Sequence, residues 1–181
     1  MKRIILALMA VMLGAFAAPA QMGQMGQSSA NPVSEAVRNA VARQTKNLVG
    51  AAEAMPADKY NFHPTPEQMT FGKLITHIVG EDTFLCSKIS DTPAPTMEKL
   101  SDTDPKDKLV SALKASTDFC VQALAKVDDS KLGESLTLFG GRMATRAAAM
   151  MILATDLSDH YSLAATDLRL NGLQPPSAQA R

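Results

Sequence analysis

The sequence contains no tryptophan, and aromatic residues make up only 4% of its 181 positions. It therefore has few flat anchors for a large organic ligand and no stacking platform for nucleic-acid bases. Charge of one sign is also lacking, with 18 basic residues against 18 acidic ones. Without a basic patch, nucleic acid is excluded as an expected partner. No apolar run reaches the roughly 20 residues of a bilayer-spanning helix; the N-terminal run from Ile4 to Ala17 is about 14. With two cysteines (Cys86, Cys120) and three histidines (His63, His77, His160), any redox or metal chemistry must come from a short list.

The N-terminal run has the form of an export signal. Lys2 and Arg3 precede it, and Ala18-Pro19-Ala20 follows with small residues at both key positions of a cleavage site. Residues 1–20 are thus expected to be a signal peptide, giving a periplasmic or secreted mature protein. No cysteine follows the cleavage site to carry a lipid, so no stable membrane anchor is expected. Removing Lys2 and Arg3 leaves 16 basic against 18 acidic residues, a net charge of about −2. Residues 21–30, in which Met-Gly-Gln occurs twice, read as a flexible, solvated leader.

What remains is 46% hydrophobic in overall composition and carries four sets of helix signals. Asn31-Pro32 supplies a capping side chain followed by a proline where its missing N–H does no harm. From there Val37, Val41, Leu48 and Ala51 recur at helical spacing as far as Met55-Pro56. Thr70 caps a second stripe of Phe71, Leu74, Ile75, Ile78, Val79 and Leu85. A third begins at Asp104-Pro105 and carries Leu109, Leu113, Cys120 and Leu124. The fourth runs from about Arg142, after Gly140-Gly141, to a stop at Asn171-Gly172. Leu132 to Phe139 alternates weakly, but one alternation without a partner does not make a sheet. The expectation is an all-α four-helix bundle over residues 31–176, with a disordered tail at 177–181. Connections of about 14 residues leave the helix order open.

Cys86 extends the stripe of the second helix, and Cys120 lies on the apolar face of the third. In an oxidising compartment adjacent helices would bring them into a disulfide; the alternative is two separate buried thiols. His63 sits among prolines and reads as a loop residue. His77 lies at the edge of an apolar stripe. Asp156 precedes His160 by four residues, which places both on one helical face. His77, Asp156 and His160 would make a three-ligand site that leaves positions open for water or a small molecule. The same spacing also describes an ordinary ion pair. Glu81, one turn after His77, is a candidate fourth ligand, an acceptor that orients a ligand histidine, or a catalytic base.

Two stretches carry a family resemblance. His63 to Asp82, HPTPEQMTFGKLITHIVGED, resembles the opening of the second helix in the DinB-like superfamily of metal-binding bundles. Prolines and a polar turn lead there to a Ser or Thr cap and a helix with a ligand histidine. Asp156 to Pro176 is similar to the family's second signature, ending in Leu168-Arg169-Leu170-Asn171-Gly172 and Pro175-Pro176. The resemblance implies metal ligation by His77 and His160, with Asp156 where the family usually has a third histidine. An aspartate there makes the site harder and more anionic, so zinc, nickel, manganese and iron(II) all remain candidates. Tyr161-Ser162-Leu163 also replaces an Arg-Gly-Gln common in the family.

Some members of the superfamily are metal-dependent transferases or isomerases that use a cytosolic thiol, a cosubstrate not maintained outside the cytoplasm. Three readings follow for an exported member. It binds a divalent metal without an assigned reaction, it is a hydrolase that uses a metal-activated water with Glu81 as base, or it is a structural bundle with a decayed site. Expected partners are the metal ion, an unidentified small molecule and a second copy in a homodimer.

Overall fold

The computed structural model describes residues 29–179, so the expected signal peptide and most of the leader lie outside the described residues. Four long helices, α1 (Pro32–Ala54), α2 (Phe71–Ser90), α3 (Lys106–Leu124) and α4 (Arg146–Leu170), form the bundle. A hairpin of β1 (Ser135–Thr137) and β2 (Met143–Thr145) precedes α4, and a short α5 (Pro176–Gln179) follows it. No described helix is long and apolar enough to cross a membrane.

Each stripe read from the sequence faces inward. Leu48, Phe71, Ile75, Ile78, Leu85, Leu109, Leu113, Met150 and Leu153 are among the fully buried side chains. Burying a side chain of this size contributes roughly 1.5–3 kcal/mol, so the shared interior dominates the bundle's stability. Both α1 and α2 pack on α3 and on α4, which sets α1 diagonal to α2. This is not the simple up-down-up-down ring. The Cys86–Cys120 disulfide joins α2 to α3, with Cα atoms 5.1 Å apart.

The crossing of α2 and α4 places the site. Buried Arg146, at the start of α4, donates to the carbonyl of Ile89 near the end of α2. Its guanidinium also reaches the carboxylates of Asp91 at 2.9 Å and Glu134 at 2.8 Å. A cation at a helix C-terminus complements the helix dipole. Further along, the rings of His77 and His160 meet, so the two helices run antiparallel.

Four local expectations change. Asn31 makes no capping bond to its own helix. Asp129 caps α1 instead, accepting from the Val33 and Ser34 N–H groups across more than 90 residues, while Asn31 Oδ1 accepts from the Asp129 N–H. Residues 143–145, expected to be helical, form the partner strand that the 132–139 alternation lacked; Leu136 pairs with Ala144. Gly140 (φ 65°) and Gly141 (φ 77°) make that turn, a backbone region open to glycine at little cost. Thr145 then caps α4 by accepting from the Ala148 N–H. The tail is helical through Gln179, and the Ser177 N–H donates to the Tyr161 hydroxyl at 2.9 Å.

The α1–α2 connector is held by its own residues. Tyr60 is buried edge-on to Phe71 and donates its hydroxyl to the Ala52 carbonyl at 2.7 Å. The Gly72 N–H donates to the Tyr60 carbonyl at 2.7 Å. A β-carbon on Gly72 would lie 2.3 Å from the Asp102 carbonyl oxygen, so the close approach of these segments requires glycine.

Candidate metal centre

Thr70 starts α2 by accepting from the Lys73 N–H at 3.1 Å, and the helical repeat then places His77 and Glu81 one turn apart. From α4, His160 points at both. Glu81 Oε2 stands 3.7 Å from His77 Nε2 and 3.5 Å from His160 Nδ1. The two imidazoles meet edge to face, with centroids 5.0 Å apart. One donor atom from each of His77, Glu81 and His160 lies within 4.8 Å of the others. Donors that share a small tetrahedral ion stand roughly 3.4 Å apart, given metal–ligand distances near 2.1 Å. The two Glu81 separations sit near that spacing.

A second observation supports the fit. His160 Nδ1 is buried and has no hydrogen-bond partner among the described residues, although buried polar atoms normally have one. A cation between it and Glu81 would satisfy it. Burial, and then the His77 ring, push the His160 pKa down, which keeps the imidazole neutral and its lone pair available.

Asp156, read from the sequence as the third ligand, is not in the donor group; Glu81 stands there. Asp156 lines the same cavity as Glu81. Burial first, then the Asp156 side chain through a hydrogen bond and through its charge, raise the Glu81 pKa to about 7. The neighbouring Asp156 charge thus favours the protonated form of Glu81. His63 lies away from the centre as a loop residue, exposed, with Nδ1 2.7 Å from the Thr65 carbonyl oxygen.

Two openings border the centre. His77 lines a groove of about 490 Å³ with Thr76, Gly80, Phe84 and Met97. Behind the carboxylates, Glu81, Asp156, Leu138, Phe139, Arg142 and Ile152 line a smaller cavity of about 150 Å³. Phe139 on the hairpin turn stacks on Phe84 with centroids 3.9 Å apart, which pins the hairpin over this end of α2. Arg142 is a functional candidate that the sequence reading left within a helix. Its placement depends on the hairpin, which no helical pattern reveals.

Asp82 is buried and its Oδ2 has no hydrogen-bond partner among the described residues. Burial, and then the charge of Glu81, raise its pKa to about 8. By helical spacing Asp82 shares a face with Ile78, Val79 and Cys86, and nothing in that spacing signals its isolation.

A bundle with two histidines and a carboxylate converging from antiparallel helices defines the class, a helical protein with an interhelical metal-type site. The chain belongs to the DinB superfamily, whose family model matches residues 40–164. Its fold is similar to the crystal structure of a DinB-like protein, YjoA from Bacillus subtilis, with a TM-score of 0.62 at 18% identity over 76% of this chain and 92% of that one. It is also similar to the H52A mutant of the mycothiol-dependent maleylpyruvate isomerase, with a TM-score of 0.59 at 14% identity over 72% of this chain and 60% of that one. No curated protein matches the chain.

Proposed function

We propose that this is an exported DinB-superfamily protein that binds one divalent metal ion through His77, Glu81 and His160. The observation that carries the reading is the convergence of three donor atoms within 4.8 Å around a buried, unpartnered His160 nitrogen. His77 and His160 supply neutral nitrogens, and Glu81 supplies the anion. Mixed nitrogen and oxygen donors suit zinc, nickel, manganese or iron(II). A bound ion would supply Lewis-acid polarisation of an oxygen on water or on a small molecule entering from the His77 groove.

Export is supported by Lys2-Arg3, the apolar run from Ile4 to Ala17 and Ala18-Pro19-Ala20. The Cys86–Cys120 pair is compatible with an oxidising compartment. Mycothiol dependence stays with the isomerase, since a likeness at 14% identity conveys fold and not reaction. A second reading, metal-dependent hydrolysis, is favoured by the carboxylate pair. With Glu81 among the ligands, Asp156 is the better-placed proton acceptor.

Elemental analysis decides the metal reading. Purified protein is equilibrated with zinc, nickel, manganese and iron(II), freed of excess and measured beside His77→Ala and His160→Ala. About one equivalent in the parent, with most of it lost in both variants, is expected. A parent without stoichiometric metal sinks the proposal. Mass spectrometry of protein recovered from outside the cytoplasm should show loss of residues 1–20; an intact N-terminus would refute cleavage there.

A further inference from the structure

About one turn from the candidate metal centre along α2 and α4 lies a separate cavity of about 250 Å³. Leu74 precedes His77 by three positions and Leu163 follows His160 by three, and both line it. The loop before α2 closes it with Glu67, Gln68 and Met69, and Asp167 of α4 completes the lining. Asp167 follows His160 by seven residues, about two turns and roughly 10 Å along the helix.

Asp167 is only 4% exposed. No described residue donates a hydrogen bond to its carboxylate, and no basic side chain lines the cavity. Burial alone raises its pKa to about 6. At neutral pH and above it is therefore an ionised group, largely withdrawn from water, that faces the cavity without a counter-charge among the lining residues. A ligand that brings a cationic donor lowers the cost of holding such a charge there. Glu67 adds a second negative charge, which favours a cation over a neutral donor.

We propose that this cavity binds a small organic cation, a primary ammonium or amidinium group on a short apolar body. The cation pairs with Asp167, and the apolar body lies against Leu74, Leu163 and Met69. The cavity volume suits a chain of about six carbons, since liquid water takes about 30 Å³ per molecule and a methylene is of similar size.

The probe is n-hexylammonium, with 1-hexanol as its neutral counterpart. Each is titrated into the full-length chain at pH 8 after chelator treatment, and binding is followed by NMR chemical shifts. Using metal-free protein separates this inference from the metal reading, which stands or falls on elemental analysis. Hexylammonium is expected to bind at least tenfold more tightly than hexanol, and at least tenfold more weakly to Asp167→Asn than to the parent. Equal binding of the two probes, no binding of hexylammonium, or unchanged affinity in Asp167→Asn overturns the proposal. Should Asp167→Asn fail to fold, Leu163→Trp fills the cavity from its half-buried side. Loss of hexylammonium binding there supports the site, and retention overturns it.

Discussion

A metal held by Glu81, as proposed, would compete with protons for it, and the strength of that competition would follow from its surroundings. With a pKa of about 7, a ligand carboxylate must lose a proton before it can bind. The fraction already ionised falls from about nine-tenths at pH 8 to about one-tenth at pH 6. The apparent zinc affinity should therefore weaken by about tenfold between those values through Glu81 alone. A carboxylate with an ordinary pKa near 4.3 would add nothing in that window. The histidines add their own dependence in every variant, so comparison of variants isolates the carboxylate. Asp156→Asn removes the charge beside Glu81 and should move its pKa down. It will not return it to the ordinary value, because burial, the larger cause, stays. The variant should bind zinc more tightly than the parent at pH 6 and about equally at pH 8. Competition against a chromophoric chelator across pH 5.5–8 measures both curves. If the two profiles superimpose, the carboxylate pair does not govern metal binding and the reasoning is wrong.

Other outcomes follow from the frame around the site. Reducing Cys86–Cys120, or replacing both with serine, reopens a loop of sequence separation 34 and should cost about 4 kcal/mol. On a domain of this size that lowers Tm by roughly 8–15 °C in calorimetry; an unchanged Tm on reduction contradicts the linkage. Gly72→Ala should lose about 1–3 kcal/mol, because its new β-carbon meets the Asp102 carbonyl. Gly80→Ala, with nothing within 4 Å, should gain about 0.5–1 kcal/mol from helix propensity, and urea melts that rank the two the other way refute the packing described. Asp82 has a folded pKa raised to about 8, far above that of an ordinary aspartate, so the native state holds its proton longer than the unfolded chain. Its contribution is fully present below about pH 4 and fades as pH rises towards 8. In metal-free protein Asp82→Asn should flatten that decline and exceed the parent in stability at pH 8; parallel curves would show that Asp82 is not isolated.

The helices were legible because their signals are local. Thr70 caps α2 as expected, and Gly172 (φ 74°) ends α4 where the sequence placed the stop. The start of α4 was misjudged by four residues because Gly140-Gly141 reads equally well as a helix boundary or as a hairpin turn. Only the pairing of Leu136 with Ala144 decides between them. The α1 cap was misassigned for a similar reason, since Asp129 reaches it from a distant segment. At the site, His77 and His160 were found from their faces and from the family resemblance. The third donor was not settled, because spacing offers His77–Glu81 and Asp156–His160 as equivalent one-turn pairs. Which carboxylate enters the gap depends on how α2 and α4 are set against each other. Arg146 fixes that by joining Ile89, Asp91 and Glu134, and none of those contacts is local in sequence.

The ring order of the helices constrains how the bundle can assemble. Among the helix neighbours, only α2 and α3 follow one another directly along the chain, and these are the two joined by Cys86–Cys120. Helix α1, first in chain order, buries its stripe against α3 and α4, so its partners come later in the sequence and the last of them closes the structure. The donors on α2 likewise gain His160 only when α4 docks. Until that step the candidate centre has His77 and Glu81 without His160, and both sit on the α2–α3 unit that the disulfide joins.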